Sequence, residues 1–413
     1  MLRASRPKEQ GNSIKKFGFR LPFSGVLPLF VLAHFSHHLV NALPIPLLPM
    51  IRSDFALSYT QSGFIISAFS LSYGIGQLPA GWLADRIGAR ILITISICGV
   101  ALTGILVGLS QTYIMLIAFL ILMGLLGGGY HPAAPPLVAA SVEPRNQGRA
   151  LGFHMIGGSA SFFLVPLIAA AIATAWGWRG SFITLAIPAM VFGIVFYVFL
   201  GRWAGTKKKE HPVITDHKET PLATPPVPHR LHHLVPFIVL SAFSGAVTMS
   251  TISFIPLFVV DRFGASEGVA AALVAVIYSA GLWVSPLGGY LSDRLGTVPV
   301  TLAVCLITGP VIYLLNLVPY GLSFGALLLI IGMVMYIRMP AAEAHIISQT
   351  SERHRSTILG IYYFGGMEGA GIVTPIVGYL IDQLGFYSSF TIAGIALVVV
   401  TLLCAIFLWG KPD

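Results

Sequence analysis

Charge is what this sequence has least of. Only 9% of its 413 residues are Asp, Glu, Lys or Arg, where a soluble globular domain carries about 25%. That shortage excludes a water-soluble globule, which needs a charged surface around its core. Cysteine is also scarce. Cys98, Cys305 and Cys404 all lie inside apolar runs, without the spacing of a disulfide framework or a zinc site. They read as small packing residues and leave the redox compartment open. The chain has no G-x-x-x-x-G-K-[ST] phosphate loop, so ATP is not expected as a direct fuel. No small-residue cleavage site follows the basic stretch that ends at Arg20. That stretch is expected to be a retained tail and not a signal peptide.

What the sequence has in quantity is apolar length. Mean hydropathy is +0.85, and a run of about 20 apolar residues crosses a hydrocarbon core of ~30 Å. Such runs occupy roughly 23–51, 61–84, 91–110, 113–140, 149–175, 180–200, 234–260, 268–291, 298–318, 322–348, 357–381 and 387–409. The expectation is an all-α membrane protein with twelve transmembrane helices in two six-helix bundles. The 44 glycines and 27 prolines fit this class, because neighbouring helices in lipid re-satisfy a broken backbone. Residues 201–233 separate the bundles with Lys207, Lys208 and Lys209, five histidines and Pro221, Pro225, Pro226 and Pro228. Such a composition makes a polar linker without a core of its own. The domains are thus a tail (1–22), a first bundle (23–200), the linker (201–233) and a second bundle with a short tail (234–413).

The net charge of +9 raises the question of nucleic acid, and its placement answers no. Of the 24 Lys and Arg, all but four fall in segments assigned to one side. The exceptions are Arg52, Arg179 and Arg262 on the other side and Arg338 within a span. This is the positive-inside pattern, so both termini are expected in the cytoplasm of a plasma or bacterial inner membrane.

A polar island interrupts the apolar runs at Gly81-Trp82-Leu83-Ala84-Asp85-Arg86-Ile87-Gly88-Ala89-Arg90, and it returns 208 residues later as Gly289-Tyr290-Leu291-Ser292-Asp293-Arg294-Leu295-Gly296. Other positions match at the same offset: Pro132 with Pro340, Arg145 with Arg353, Gly152 with Gly360, Gly157-Gly158 with Gly365-Gly366, and Gly177 and Phe182 with Gly385 and Phe390. The two bundles are repeats of one plan.

The loop Gly81–Arg90 resembles the G-x-L-A-D-R-x-G-x-R loop between helices 2 and 3 of the major facilitator superfamily. Glu143-Pro144-Arg145 with Gly148-Arg149 is similar to that superfamily's element between helices 4 and 5, and Trp178 to Phe182 to its start of helix 6. The resemblance covers the chain from about residue 23. It implies two halves related by a pseudo-twofold along the membrane normal, working as a secondary transporter by alternating access, functional as a monomer and without a cofactor. His34-Phe35, Tyr130 to Ala133, and Gly152-Phe153-His154 resemble the branch of fosmidomycin-resistance-type efflux proteins. Two features depart from such relatives: His38 stands near a common Asp, and the helix 5 G-x-x-x-G-P run has become Ser161 to Pro166. By the same resemblance, Gly81, Asp85, Arg86, Gly88, Arg90, Glu143, Arg145, Arg149, Gly289, Asp293 and Arg294 form a cytoplasmic gate and latch. Asp85 would meet a helix N-terminus across the halves, and Arg86 and Arg90 would pair with acids such as Glu143.

Ionisable groups at membrane depth cost about 2.5–3.5 kcal/mol on insertion scales, and few are present. His34, His37, His38 and Asn41 are spaced three and four apart, which puts them on one helical face. They either turn to a cavity, where a histidine can carry a proton, or bond to neighbouring helices. No carboxylate or cysteine lies near them in the chain, so no metal site is expected. Arg338 lies deep in its segment and needs an anion: Glu343, Glu368 or the cargo. Glu368, among small residues, is a candidate proton carrier or the partner of Arg338. Tyr130 is the repeat-mate of Arg338. Tyr130, His131 and His154 are further candidates for the substrate or proton pathway, with the gate or packing as the alternative for the two histidines, as for Glu343 and His345. The expected cargo is a small organic solute, anionic, zwitterionic or drug-like, with protons as coupling ion. The alternatives are an uptake symporter or uniporter of organic acids, or a sensor or intramembrane enzyme on the same fold.

Overall fold

The computed structural model of the protein describes residues 26–143, 146–210, 231–350, 358 and 361–408. Among these residues the chain is helical, with no strand. The helices are α1 (Leu27–Asn41), α2 (Leu48–Phe55), α3 (Tyr59–Ile87), α4 (Ala89–Gly108), α5 (Tyr113–Gly127), α6 (Tyr130–Ala140), α7 (Gln147–Glu210), α8 (Leu231–Phe263), α9 (Glu267–Ser279), α10 (Ser285–Leu295), α11 (Thr297–Leu314), α12 (Leu322–Gln349) and α13 (Gly369–Leu408). A π-helical turn, Phe364–Glu368, leads into α13.

Local sequence explains the boundaries. Ser58 caps α3 by accepting from the Gln61 amide, while the Gln61 side chain returns the bond to the Ser58 amide. This capping box satisfies two donors that a helix start leaves open. Thr112 and Ser266 cap α5 and α9 in the simpler way. Pro44 and Pro46 lie in the break between α1 and α2, and Pro49 opens α2, as expected of residues that remove an N–H. Pro256, in contrast, sits inside α8, which runs on past it. A second break, bent by 47°, separates Glu267–Leu282 from Ser285–Leu295.

The repeat is written in the backbone. Gly88 and Gly296, equivalent at the 208-residue offset, both have φ 89° and close the junctions α3–α4 and α10–α11. Gly177 (φ 65°, ψ 179°) and Gly385 (φ 73°, ψ 171°) break α7 and α13 in the same way. Positive φ is open to glycine at no steric cost, so each pair is glycine in both halves. After Gly177 the chain folds back, and the Ser181 hydroxyl donates to the Ala169 carbonyl at 3.0 Å.

Among the described residues seven helical stretches, with α5 and α6 taken together as Tyr113–Ala140, are long and apolar enough to cross a membrane, and the bent pair makes an eighth. Their outer faces carry large exposed apolar side chains such as Leu102, Ile114, Leu322 and Ile406, which suits lipid contact.

The buried core is arranged unequally along the bundle. Toward one end a single apolar cluster runs through both halves, from Leu39 and Phe182 to Phe258 and Phe390. Toward the end that holds Val26 and Leu408 it separates. Val26, Leu92, Val138 and Leu200 pack within the first half, and Leu234, Cys305, Ile346 and Leu408 within the second. We call these the latch end and the terminal end. The halves are joined at the first and parted at the second.

Candidate functional site

The helix 1 face anticipated from spacing forms, and it is buried: His34, His37, His38 and Asn41 all turn inward. The structure adds residues that sequence distance kept apart. His131 and His154, candidates for the pathway or else for the gate or packing, join the same cluster through α6 and α7. The His34 ring stacks on His154 with centroids 4.4 Å apart, and His37 on Tyr130, also at 4.4 Å. His131 lies 5.3 Å from His34 and 5.5 Å from His38. Five imidazoles and two tyrosines therefore share one volume of the first half.

Hydrogen bonds set the tautomers. A carbonyl oxygen only accepts, so His34 Nδ1 is the donor to the His154 carbonyl at 2.9 Å. His154 Nδ1 likewise donates to the Phe30 carbonyl at 3.0 Å. His38 Nδ1 donates to Asn41 Oδ1 at 3.0 Å. His37 Nε2 meets the Tyr73 hydroxyl at 3.0 Å. Several buried polar atoms have no protein partner: His37 Nδ1, His154 Nε2, Asn41 Nδ2 and the Tyr130 hydroxyl. Buried polar groups are nearly always satisfied, by protein or by ordered water, so these atoms call for water or another polar partner. His38 packs against Phe162 at 4.8 Å, and Phe162 against Tyr278 of the second half at 5.2 Å. The cluster thus borders the meeting of the halves.

Glu368 lies on that meeting line too. Gln77 Nε2 donates to its Oε1 at 2.8 Å, whereas Oε2 is buried without a partner. Gly74 makes room for it: a Cβ there would stand 3.0 Å from Glu368 Cβ and from Phe364 Cδ2. Tyr73 lies one turn before Gln77 on the same face of α3, so that face carries both the partner of Glu368 and the partner of His37. Tyr73 and Gln77 were missed in the sequence, where single polar residues in an apolar run carry no periodic signal.

Arg338 is buried. Its Nη1 donates to the Ser241 carbonyl at 2.9 Å, and its charge reaches Cys305, Tyr362 and Glu343. Among the described residues no carboxylate forms an ion pair with it. Glu343 bonds with Tyr363, and His345 Nδ1 meets Thr297 Oγ1 at 2.9 Å.

At the latch end the halves are bolted together by polar contacts. Arg52 pairs with Asp261 at 3.4 Å, and the Tyr59 hydroxyl donates to the same carboxylate. Asp382 accepts from the Tyr59 amide (2.9 Å), the Thr60 amide (2.8 Å) and the Thr60 hydroxyl (2.5 Å). A carboxylate from one half therefore sits on the N-terminus of α3 in the other, where the helix dipole favours it. Within the first half, Arg179 pairs with Asp54 at 2.5 Å, and Trp178 Nε1 donates to the same carboxylate at 3.2 Å.

The loop motif lies at the terminal end. Asp85, Arg86, Arg149, Asp293 and Arg294 are exposed. Arg86 stacks on Trp82 at 4.2 Å, and Arg294 on Tyr290 at 5.0 Å. Arg90 covers Tyr197 at 3.8 Å and donates to its carbonyl at 3.0 Å. Glu143 is also exposed, and Arg145 lies outside the described residues. Around Gly81, Gly88, Gly152 and Gly289 a Cβ would meet nothing within 4 Å.

Comparison with known proteins agrees with this architecture. The sequence profile of the Major Facilitator Superfamily matches residues 30–337 and 263–413. The chain is 24% identical over 383 residues to the hexuronate transporter of Bacillus subtilis, covering 88% of this chain and 90% of that one. It is 26% identical over 363 residues to Multidrug resistance protein MdtG of Escherichia coli, covering 85% and 84%. A D-xylose–proton symporter superposes with TM-score 0.73 at 18% identity, over 94% of this chain and 99% of the other. A bacterial homolog to the human lysosomal transporter Spinster gives 0.73 at 18% identity, over 93% and 95%. The chain is a multi-pass membrane protein that belongs to the Major Facilitator Superfamily, a secondary transporter of small organic solutes.

Proposed function

We propose that the chain couples transport of a small organic anion to protons, by alternating access, through Glu368 at the line where the halves meet. The observation that carries this reading is the Gln77–Glu368 bond. It joins one half to the other, and the second carboxylate oxygen is left without a partner at membrane depth. A proton on that oxygen neutralises the group and frees the halves to part. The hydrogen-bonded pair His37–Tyr73 leads from Glu368 toward the histidine cluster, which serves as the binding cavity. Hexuronate, for which the Bacillus subtilis relative is named, is a carboxylate. Arg338, buried without an acid ion-paired to it among the described residues, supplies positive potential for such an anion from the second half.

In this reading twelve helices cross the membrane, with α7 and α13 each counted as two spans divided at Gly177 and Gly385. The terminal end, with its exposed arginines, is the cytoplasmic face, as basic residues favour. The joined latch end then faces outside, and the state is open to the cytoplasm. No enzyme chemistry is assigned to the histidine cluster, since a nucleophile with a base and an orienting group has no counterpart there. The kinship of His34, Tyr130 to Ala133 and Gly152 to His154 with fosmidomycin-resistance-type exporters stays part of this proposal.

Proteoliposome flux tests the coupling. Wild-type protein moves protons when a gradient of the transported organic acid is imposed. Glu368→Gln, in which the site is permanently neutral, is expected to lose substrate-driven proton movement and keep substrate exchange across equal concentrations. Proton movement unchanged in Glu368→Gln would remove the carboxylate from the mechanism.

A further inference from the structure

The histidine cluster contains a feature that transport of an organic anion does not call for. His34 and His38 from α1 and His131 from α6 place one ring nitrogen each within 4.8 Å of the other two. Chain proximity alone argued against a metal site, because the α1 histidines have no carboxylate or cysteine beside them. The third ligand comes instead from a helix that starts 89 residues after α1 ends. His37, the remaining histidine of the face, is directed to Tyr73 and is outside the set.

Three details go beyond proximity. A metal-bound histidine usually donates its other ring N–H to a carbonyl or carboxylate, which fixes the tautomer and aims the lone pair. His34 does this through Nδ1 to the His154 carbonyl, and His38 through Nδ1 to Asn41 Oδ1. In both rings Nε2 is thereby left unprotonated, ready to ligate. Nitrogens on one tetrahedral ion with bonds near 2.0–2.1 Å lie roughly 3.4 Å apart, so contraction of at most about 1.4 Å from the 4.8 Å limit, by ring rotation, suffices. His131 is only half-buried, which leaves a way in.

We propose that His34, His38 and His131 bind a divalent first-row transition-metal ion, with the fourth coordination position open to an anionic ligand. All-imidazole ligation suits Zn²⁺, Co²⁺, Ni²⁺ or Cu²⁺ and discriminates against Mg²⁺ and Ca²⁺, which take oxygen ligands. Three neutral imidazoles leave the double positive charge uncompensated. The open position therefore takes hydroxide or a carboxylate, and a His₃ site with one vacant position is the pattern of reactive zinc centres. Phe162, against His38 on one side and Tyr278 of the second half on the other, sets the site beside the line where the halves meet. Metal binding by this set stands apart from the coupling role of Glu368, which belongs to the other side of Tyr73.

The test uses the full chain, purified without an affinity tag, with the linker histidines His211, His217, His229 and His232 replaced by alanine. Co²⁺ is added to the protein in nanodiscs, and the visible ligand-field bands of four-coordinate cobalt are titrated. One Co²⁺ per chain is expected, displaced by Zn²⁺ and not by Mg²⁺. His38→Ala and His131→Ala are each expected to weaken binding about 100-fold or more, and Asn41→Ala about 10-fold through His38. His37→Ala is expected to keep it. His131→Gln, at the more open position, replaces any alanine variant that fails to melt cooperatively. Absence of the four-coordinate spectrum, or equal loss in His37→Ala, overturns the assignment, and so does binding unchanged by His38→Ala and His131 substitution. The proton-flux result with Glu368→Gln is read without metal, so the two proposals fail separately.

Discussion

Gly158 is glycine because a ring occupies the place of its side chain. A Cβ there would stand 2.7 Å from His34 Cε1 and 2.8 Å from His34 Nε2. The α7 backbone is therefore what presses His34 against His154 and Tyr130. Gly158→Ala is expected to displace the ring and to cost about 1–3 kcal/mol of overpacking. Differential scanning of purified protein would read this as a lowered Tm, and an unchanged Tm would mean that His34 moves freely. The same residue shows what the sequence conveyed at this scale. Gly157-Gly158 was visible as a repeat-mate of Gly365-Gly366, and the helical face of His34, His38 and Asn41 was visible as spacing. Which ring met the glycine was not, because contact depends on how α7 is rotated against α1. Glu368 is the sharper case. Arg338 was the obvious partner by charge, yet the bond is to Gln77 of the other half, a neutral residue that nothing in its run distinguished. Arg338 instead meets a carbonyl.

At the scale of elements, the N-terminus of α3 is the most informative end in the molecule. The expectation was that a carboxylate would cross the halves onto a helix start, and it was assigned to Asp85. The structure makes that type of contact at the opposite end, with Asp382 on the first turn of α3. Asp382 lies outside the spans, between the apolar runs 357–381 and 387–409. Partial burial raises its pKa, but hydrogen bonds from the Thr60 hydroxyl, the Thr60 and Tyr59 amides and Ser58 outweigh it, and the carboxyl titrates below its usual range. A carboxyl with a lowered pKa stabilises its contact fully above the ordinary carboxylate range, and that support is lost as pH falls through the lowered value. Thiol labelling of Ser62→Cys, a fully buried position in the first turns of α3, in a chain freed of Cys98, Cys305 and Cys404, would follow the latch. Labelling is expected to stay low from neutral to weakly acidic pH and to rise only in strong acid. Asp382→Asn is expected to label fast at every pH. A rise near neutrality would point to another group. The spans and the Gly177 and Gly385 breaks were legible here because length, apolarity and repetition act within one segment. The 47° break before α10 has its local signals, Gly281 just ahead of it and Pro286 at the start of α10, but the apolar run 268–291 continues across it and masks them.

For the whole molecule, the single core at the latch end and the divided cores at the terminal end describe one position of a two-position device. Polar contacts between halves begin at Asp261 and Asp382 and reach inward to Glu368. The pseudo-symmetric halves are expected to exchange this arrangement for its converse, joined at the terminal end. Asp85→Asn would then leave the observed state intact and weaken the converse one. Latch-end thiol labelling should fall below wild type in that variant while solute flux drops and the protein stays folded. Normal flux would place Asp85 outside the cycle.

Gly81, Gly152 and Gly289 have open space where their side chains would be, in a protein where most other helical glycines are pressed against neighbours such as Pro375 and His34. Nothing in this arrangement requires them to be small. A substitution such as Gly81→Val should pass a melting assay on this state unnoticed and surface only as slowed turnover. Mutational tolerance in this chain therefore divides into two records, one kept by stability and one by kinetics, and these three positions are entered only in the second.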